Sequence, residues 1–104
     1  MAEKNLPLCP VSRTAFIIGS RWTSEILREL VDHGARRFSD FEASLEGIAP
    51  NTLSNRLKML EDHGVLERRI YDTHPPRSEY LLTDRGLKMR PIIDAMRVWG
   101  RQSD

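Results

Sequence analysis

The sequence has a single cysteine, Cys9, among its 104 residues, and it has no long apolar run. One thiol cannot form an internal disulfide framework or supply a thiolate zinc cluster. No apolar stretch approaches the roughly 20 residues that span a bilayer, and residues 1–8 lack the apolar core of a signal peptide. We therefore expect a cytoplasmic protein with no membrane association.

Neither sign of charge is in excess, because 16 lysines and arginines are balanced by 15 acidic residues and the formal net charge is +1. Proteins that bind nucleic acid usually carry a basic footprint, so such a function would need positive charge segregated on one face. The length, with 39% hydrophobic and 30% charged residues, predicts one globular domain over residues 9–104, preceded by an N-terminal arm at 1–8.

Two helices are predicted in the first third of the chain. Pro10 suits the first position of a helix, and Gly19 is placed to end it. Ser20 is placed to cap the second helix, which ends at Gly34. Apolar residues recur at helical spacing in both segments, so each helix should bury one face.

Two further helices, joined by a glycine-containing turn, are predicted next. Ser39, followed three residues later by Glu42, has the pattern of a capping box at the start of the third helix. After a turn at Gly47, Pro50 opens the fourth helix, which ends at Gly64 and buries a face formed by Leu53, Leu57 and Leu60. This pair matches the helix-turn-helix pattern.

The chain then changes to residues that favour strands. Residues 65–71 and 78–82 predict a hairpin, and residues 72–77, which include two prolines, predict the exposed loop between its strands. Thr83 is placed to cap a last helix, which Pro91 should kink or split. The predicted fold is mainly α with a small β-hairpin: a winged helix-turn-helix with helices at both termini.

Two stretches are specific when taken together: Pro-Pro-Arg-Ser-Glu-Tyr-Leu-Leu-Thr at 75–83 and Gly-Ser-Arg-Trp-Thr at 19–23. With them, the chain resembles the HxlR-type winged helix-turn-helix transcription regulators. Further matches extend the resemblance over nearly the whole chain, at residues 9–10, 37–41, 53–64, 68–71 and 99–100. The resemblance implies a homodimer built mainly from the first and last helices, which binds double-stranded DNA at a pseudo-palindromic operator, with recognition helices in successive major grooves and wings along the backbone.

One departure from the family concerns the start of the recognition helix, where the family usually has a serine and this chain has Ala49. Alanine cannot cap a helix, which costs about 1 kcal/mol. Pro50 offsets part of that cost because its backbone angle is already helical. We therefore expect an operator preference that differs from that of relatives with the serine.

The fourth helix carries polar and basic side chains beside its leucine face, namely Asn51, Thr52, Ser54, Asn55, Arg56 and Lys58. At 100° per residue, Asn51, Asn55, Lys58 and Asp62 face outward, Ser54 and Thr52 flank them on opposite sides, and Arg56 lies nearer the core edge beside Thr52. Asparagine can form paired hydrogen bonds with adenine, and lysine or arginine can contact guanine. This set is therefore the predicted base-contacting surface. A solvated polar face without a ligand is the alternative.

Three residues outside this helix are also predicted DNA contacts, namely Arg37, His74 and Arg77. Arg77, near the tip of the wing, is the better candidate for phosphate or the minor groove. Arg37 precedes a helix N-terminus, which favours anions, although a solvated loop is an equal alternative there.

Two arginines alternate across the first strand of the wing. Because neighbouring strand residues point to opposite faces, at most one of Arg68 and Arg69 should face DNA. The alternative for Arg69 is a structural ion pair with Glu67 or Glu79.

The first and last helices carry more apolar side chains than one buried stripe needs: Val11, Phe16, Ile17 and Ile18 on the first, and Ile92, Ile93, Met96, Val98 and Trp99 on the last. Some of these must cover the domain's own core. This surplus predicts a twofold dimer interface. The alternative is that both helices only complete the core of a monomer.

Cys9 is a candidate redox-sensing residue. It immediately precedes the first helix, and a helix N-terminus lowers the pKa of a thiol. In similar proteins a cysteine here senses oxidants or electrophiles. With no second cysteine, Cys9 can only be alkylated, joined to a small thiol or bridged to Cys9 of a partner. The alternative is a semi-buried, small apolar residue.

No catalytic residue, cofactor or metal site is predicted. His33, His63 and His74 lack metal-ligand spacing, and no phosphate-binding glycine motif occurs. A winged-helix module that binds only protein is the rival function, and the near-neutral charge favours it. A cavity between the dimerising helices and the core could take a small apolar ligand as effector, although nothing in the sequence selects one.

Overall fold

The computed structural model describes residues 6–102. Within that range the elements follow in the order α1 Pro10–Ile18, α2 Arg21–His33, α3 Phe38–Ser44, α4 Pro50–Asp62, β1 Leu66–Thr73, β2 Pro76–Leu82, α5 Asp84–Leu87 and α6 Arg90–Gln102. The hairpin forms an antiparallel two-stranded sheet directly after the helix-turn-helix pair α3–α4. The prediction of a mainly helical winged helix-turn-helix is therefore confirmed.

The predicted arm at 1–8 lies partly outside the described residues, which begin at Leu6. Leu6 is half-buried and packs against the core, and Leu8 is exposed. The carbonyl of Pro7 accepts a hydrogen bond from Nη1 of Arg13, 3.1 Å away. The last residues of the arm are therefore tied to α1.

The boundary between α1 and α2 is set by small residues. At Gly19, a Cβ atom would lie 2.3 Å from the carbonyl oxygen of Ala15, so a larger residue would require the backbone to move. The hydroxyl of Ser20 then accepts from the amide of Thr23 across 3.2 Å, which is the predicted cap of α2. The end of that helix at Gly34 is also as predicted, with a φ of 77° that favours glycine.

The start of α3 differs from the prediction. The helix begins at Phe38, and the amide of Arg37 donates to Oδ2 of Asp40 across 2.8 Å. The capping box predicted for Ser39 and Glu42 is therefore wrong by two positions. Asp40 supplies the carboxylate at the third helical residue, and its own amide donates to the carbonyl of Arg37 across 3.0 Å, so Arg37 and not Ser39 occupies the cap position.

The hairpin is longer than predicted. Its register pairs Asp72 with Arg77 and Thr73 with Pro76, so only His74 and Pro75, joined by a cis peptide, remain at the tip. The predicted loop over residues 72–77 is therefore wrong at four of its six positions. Pro76 is accommodated because it is the first residue of β2, where a missing amide donor is tolerated.

The C-terminal helical region is divided in two, as expected from Pro91. The hydroxyl of Thr83 accepts from the amide of Gly86 across 3.1 Å and caps α5, and Pro91 lies in the first turn of α6. A Cβ atom on Gly86 would lie 1.9 Å from the carbonyl oxygen of Val65. This close approach packs α5 onto the segment that follows α4.

The core lies where α2 and α4 meet the base of the hairpin. Its largest fully buried side chains include Ile26, Leu27, Phe41, Leu53, Leu57, Leu60 and Leu66. The predicted buried face of α4 is therefore confirmed. In the described part of the chain, no helix is long and apolar enough to cross a membrane.

Candidate nucleic-acid interface

The turn between α3 and α4 places the start of α4 at the surface. Gly47 has a φ of 92°, which favours glycine, and Pro50 is the first residue of α4. Ala49 occupies the cap position and forms no side-chain hydrogen bond there, as its methyl group requires. The first amides of α4 therefore have no cap from Ala49.

The outward side of α4 carries a polar face formed by Asn51, Ser54, Asn55 and Lys58, all of which are exposed. The structure brings these four predicted residues together along the helix surface. We call them the outer face of α4. Amide, hydroxyl and ammonium groups are the donors and acceptors that base edges require.

Lys58 is already engaged in an ion pair on this helix. Its Nζ lies 2.8 Å from Oδ1 of Asp62, one turn further on. The hydrogen bond to Asp62 raises the pKa of Lys58, so the side chain stays protonated. Because Glu61 and Asp62 both lie in the last turn, the start of α4 is free of acidic side chains.

Thr52 and Arg56 lie on a different flank of α4 and are half-buried. Nε of Arg56 donates to the hydroxyl of Ser20 across 3.2 Å, in a small pocket shared with Phe16 and Met59. The structure therefore does not group Arg56 with the outer face. Its guanidinium fixes α4 to the N-terminus of α2.

A groove of about 530 Å³ separates the outer face of α4 from the hairpin. Ser54, Asn55, Lys58 and, further along the helix, Glu61 line the α4 side of it, and Arg68 and Tyr80 line the hairpin side. Arg68 was not among the predicted contacts. The groove therefore combines the middle of α4 with a cation from the base of the wing.

The strand register distinguishes the two neighbouring arginines of β1, Arg68 and Arg69. Arg69 is paired with Glu79, and its Nη2 lies 2.6 Å from Oε2 of that residue. The structural ion pair considered for Arg69 is therefore confirmed, with Glu79 as the partner. Strand alternation directs Arg68 to the opposite face, and among the described residues it forms no salt bridge.

Both predicted contacts on the wing, His74 and Arg77, are exposed near the tip. Nε of Arg77 lies 4.0 Å from Oδ2 of Asp72, and the amide of His74 donates to Oδ1 of the same carboxylate across 3.1 Å. The His74 ring nitrogen Nδ1 lies 3.0 Å from the hydroxyl of Thr73. Asp72 thus organises the tip and partly neutralises Arg77.

Arg37 lies at the junction of α3 and the wing. A side-chain hydrogen bond with Tyr71, reinforced by Asp40, raises the pKa of Arg37. Tyr71 lies at the irregularity in the β1–β2 register, between the pairs of Ile70 and Asp72. Arg37 therefore links the start of the helix-turn-helix pair to the middle of the hairpin.

The neighbouring Arg36 has a different role. Its Nη2 donates to Oε1 of the buried Glu29 across 3.1 Å and to the hydroxyl of Ser44 across 3.0 Å. Its backbone forms a two-way bridge with Tyr80 of β2. Arg36 therefore holds the wing against α2 and is not directed to a ligand.

Cys9 lies at the N-cap position of α1 and is exposed. The backbone amide and hydroxyl of Ser12, together with the amide of Val11, lower the pKa of the Cys9 thiol below its ordinary value of 9.0. The alternative of a semi-buried apolar residue is therefore wrong. A thiolate at this position is open to reagents from solvent.

Residues 17–103 match the family model described as an HxlR-like helix-turn-helix. The chain belongs to the HxlR-like helix-turn-helix family.

Across residues 6–102, no group of His, Cys, Asp or Glu side chains has the geometry of a metal site.

Known proteins are similar to this chain in sequence or in structure. The uncharacterized HTH-type transcriptional regulator YdeP of Bacillus subtilis is 38% identical over 94 residues, which cover 90% of this chain and 73% of YdeP. The redox regulator HypR in its oxidized form superimposes with a TM-score of 0.85 at 33% identity, over 92% of this chain and 98% of HypR. Diamide-treated YodB from B. subtilis gives a TM-score of 0.74 at 31% identity, over 92% and 95% of the two chains. This member of the HxlR-like family is a transcriptional regulator of the winged helix-turn-helix class, and not an enzyme.

Proposed function

We propose that this regulator binds a pseudo-palindromic operator in double-stranded DNA as a homodimer. The outer face of α4 enters the major groove, and the β1–β2 wing follows the adjacent backbone. The observation that carries the proposal is the groove in which Asn55 and Lys58 face Arg68, because it joins base-reading groups to a phosphate-binding cation on one surface.

The contacts fall into two classes. Asn51, Asn55 and Lys58 are assigned to base edges, with Ser54 and Thr52 beside them, and Arg56 reaches the DNA only from the flank. Arg37, Arg68, His74 and Arg77 are assigned to phosphates or the minor groove. Arg37 and Arg77 already have carboxylate neighbours, so each exchanges a protein carboxylate for a phosphate on binding. Lys58 must leave Asp62 to reach a base edge.

Dimerisation is assigned to the two terminal helices. Val11 on α1 and Trp99 on α6 are 76% and 71% exposed, which is more apolar surface than a monomer ordinarily leaves to solvent. A twofold axis through these helices would set the two α4 helices about 34 Å apart, one turn of DNA.

A titration of fluorescently labelled random duplex DNA at two salt concentrations tests DNA binding. We expect binding that weakens steeply with salt, because each neutralised phosphate contributes about 0.9 to the slope of log K against log salt. Arg68→Gln and Arg77→Gln should each reduce that slope. The matched control Arg101→Gln removes a cation from the exposed end of α6, outside the proposed DNA-binding surface, and should leave the slope unchanged.

Binding that is absent at low salt under reducing conditions would refute the DNA-binding proposal. The chain would then be a winged-helix module that contacts another protein. An operator selected from a random pool should show two half-sites related by a twofold axis. A single half-site would refute the dimer.

We also propose that Cys9 makes DNA binding responsive to oxidants. Its exposure and lowered pKa support this, as do similar solved structures titled as a redox regulator and as a diamide-treated protein. Two Cys9 thiols from two subunits would lose two protons and two electrons to diamide and form one disulfide; a small thiol could replace the second cysteine. DNA affinity should change on diamide treatment in the wild type and not in Cys9→Ser.

A further inference from the structure

A second groove, of about 510 Å³, lies between α1 and the corner where α5 meets α6. Its wall is apolar, with Ile17, Val65, Met89 and Ile92 contributing side chains, and Leu6 and Leu8 lie at the rim. This volume falls within the range of pockets that hold small organic ligands.

Three cations line this apolar groove, namely Arg13, Arg85 and Lys88, and no acidic side chain lines it. Arg13 donates to the carbonyl of Pro7 and Arg85 to the carbonyl of His63, at 3.1 and 3.0 Å. Within residues 6–102, none of the three cations forms a salt bridge. The two arginines therefore bond only to neutral carbonyl groups, and all three side chains are exposed and open to an anionic ligand.

We infer that this groove binds a small organic anion that has an apolar body and a carboxylate. The apolar body lies against Ile17, Met89 and Ile92, and the carboxylate is held by Lys88 and the two arginines. A carboxylate is a stronger partner for a guanidinium than a neutral carbonyl is, because both groups are charged and two parallel hydrogen bonds can form. Neither a purely apolar ligand nor a second protein surface without acidic groups would compensate these charges.

The position of Arg85 gives such a ligand a route to the DNA-binding surface, a consequence that rests on the proposed function. The carbonyl to which Arg85 donates belongs to His63, the C-cap residue of α4. A bound carboxylate would compete for this guanidinium and weaken its bond to the end of α4. Ligand binding should therefore change DNA affinity through Arg85.

Ligand binding can be tested without DNA, on the full chain. The probes are 2-naphthoate and decanoate, with neutral 2-naphthamide for comparison, and the observable is the methyl resonances of Ile17, Met89 and Ile92. We expect saturable shifts with the two carboxylates, while Ile70 on the wing stays unchanged. The amide should bind at least about tenfold more weakly, the factor that 1.4 kcal/mol represents.

Two variants locate the carboxylate. Lys88→Gln and Arg13→Gln should each raise the dissociation constant of 2-naphthoate about tenfold or more, because each removes one charge-assisted bond. The matched control Arg101→Gln removes a cation elsewhere and should have no effect. Equal binding of naphthoate and naphthamide, shifts outside the groove, or no binding of either carboxylate at millimolar concentration would overturn the inference.

A separate titration tests the coupling. With labelled duplex DNA, 2-naphthoate should change the affinity of the wild type and not that of Arg85→Gln. The same change in both proteins would refute the route through Arg85. If the chain fails to bind DNA at all, the proposed function fails, whereas the methyl shifts still decide whether the groove binds anions.

Discussion

Nε of Arg56 and the hydroxyl of Ser20 are joined by a 3.2 Å hydrogen bond between residues 36 positions apart in the chain. The same hydroxyl accepts from the amide of Thr23 and so caps α2. One oxygen therefore stabilises the start of α2 and holds the flank of α4. Asn55, the preceding residue on α4, is exposed on the outer face.

Because Arg56 is bonded to Ser20 whereas Asn55 is exposed, we expect substitutions at these two positions to have separable effects on stability and DNA binding. Arg56→Gln should lower the free energy of unfolding by about 1 kcal/mol, the typical net value of one hydrogen bond, and should also weaken DNA binding. Asn55→Ala should weaken binding to a selected operator by about 1–3 kcal/mol and leave stability unchanged. Urea denaturation and operator titration measure the two effects. An Arg56→Gln protein as stable as the wild type would contradict the structural role.

The ion pair between Lys58 and Asp62 predicts a gain of affinity. Asp62→Asn removes the carboxylate that occupies Lys58 in the free protein, and it also removes a negative charge near the DNA. Binding to random duplex should become tighter, and the salt slope should steepen by up to about one unit. Glu61→Gln is the matched control, since it removes the adjacent charge without freeing Lys58, and its effect should be smaller. Equal effects would show that only net charge matters.

Much of the fold is predictable because local chemistry sets the helix boundaries. Pro10, Ser20 and Gly34 act within one turn of the chain, so the limits of α1 and α2 follow from their positions. Pro91 likewise forces a break whatever lies around it.

The sequence-based predictions are wrong where a distant or competing group determines the local structure. At α3, the side chain of Asp40 accepts from the amide of Arg37, and the helix begins two residues earlier than Ser39 and Glu42 predict. The hairpin extends past the predicted loop, with Asp72 paired to Arg77 and Thr73 to Pro76 across the strands. Pairing across a hairpin depends on register, which residue preferences alone do not determine.

Prediction from sequence has the same limit at the candidate DNA-binding site. The outer face of α4 follows from helical periodicity and the positions of its leucines. The choice between Arg68 and Arg69 required the pairing with Glu79, and the hydrogen bond of Arg56 required the position of α2. The exposure of Cys9 likewise depends on how α1 packs, and not on the residues beside it.

Glu29 is predicted to hold the wing in place. Its side chain is only 7% exposed and contacts both Arg28 and Arg36, and the backbone of Arg36 is bridged to Tyr80. Glu29→Gln should destabilise the protein by about 2 kcal/mol, because it leaves Arg36 partly buried without its anion. Thermal unfolding checks this. Glu25→Gln removes a more exposed carboxylate from the same helix, and an equally large loss there would contradict the prediction.

Trp99 is predicted to anchor the dimer. Large aromatic side chains dominate interface energies, so Trp99→Ser should raise the dimer dissociation constant at least about tenfold, visible by sedimentation. The matched control is Ile70→Ser, which removes an apolar side chain with 58% exposure from the wing. If both proteins sediment as the wild type does, the terminal helices are not the interface.

The reactivity of Cys9 should depend on pH in a way that identifies Ser12. Because the thiolate is the nucleophile, the rate of iodoacetamide alkylation should rise with pH to a midpoint below 9.0, the ordinary pKa of the thiol. Ser12→Ala removes the hydroxyl and keeps the backbone amide, so the midpoint should move part of the way back toward 9.0 and the rate near pH 7.5 should fall. Thr14→Ala removes a hydroxyl that bonds instead to the carbonyl of Pro10, and it controls for general damage to α1. A midpoint at 9.0 in the wild type, or equal shifts in both variants, would show that the helix start does not activate this thiol.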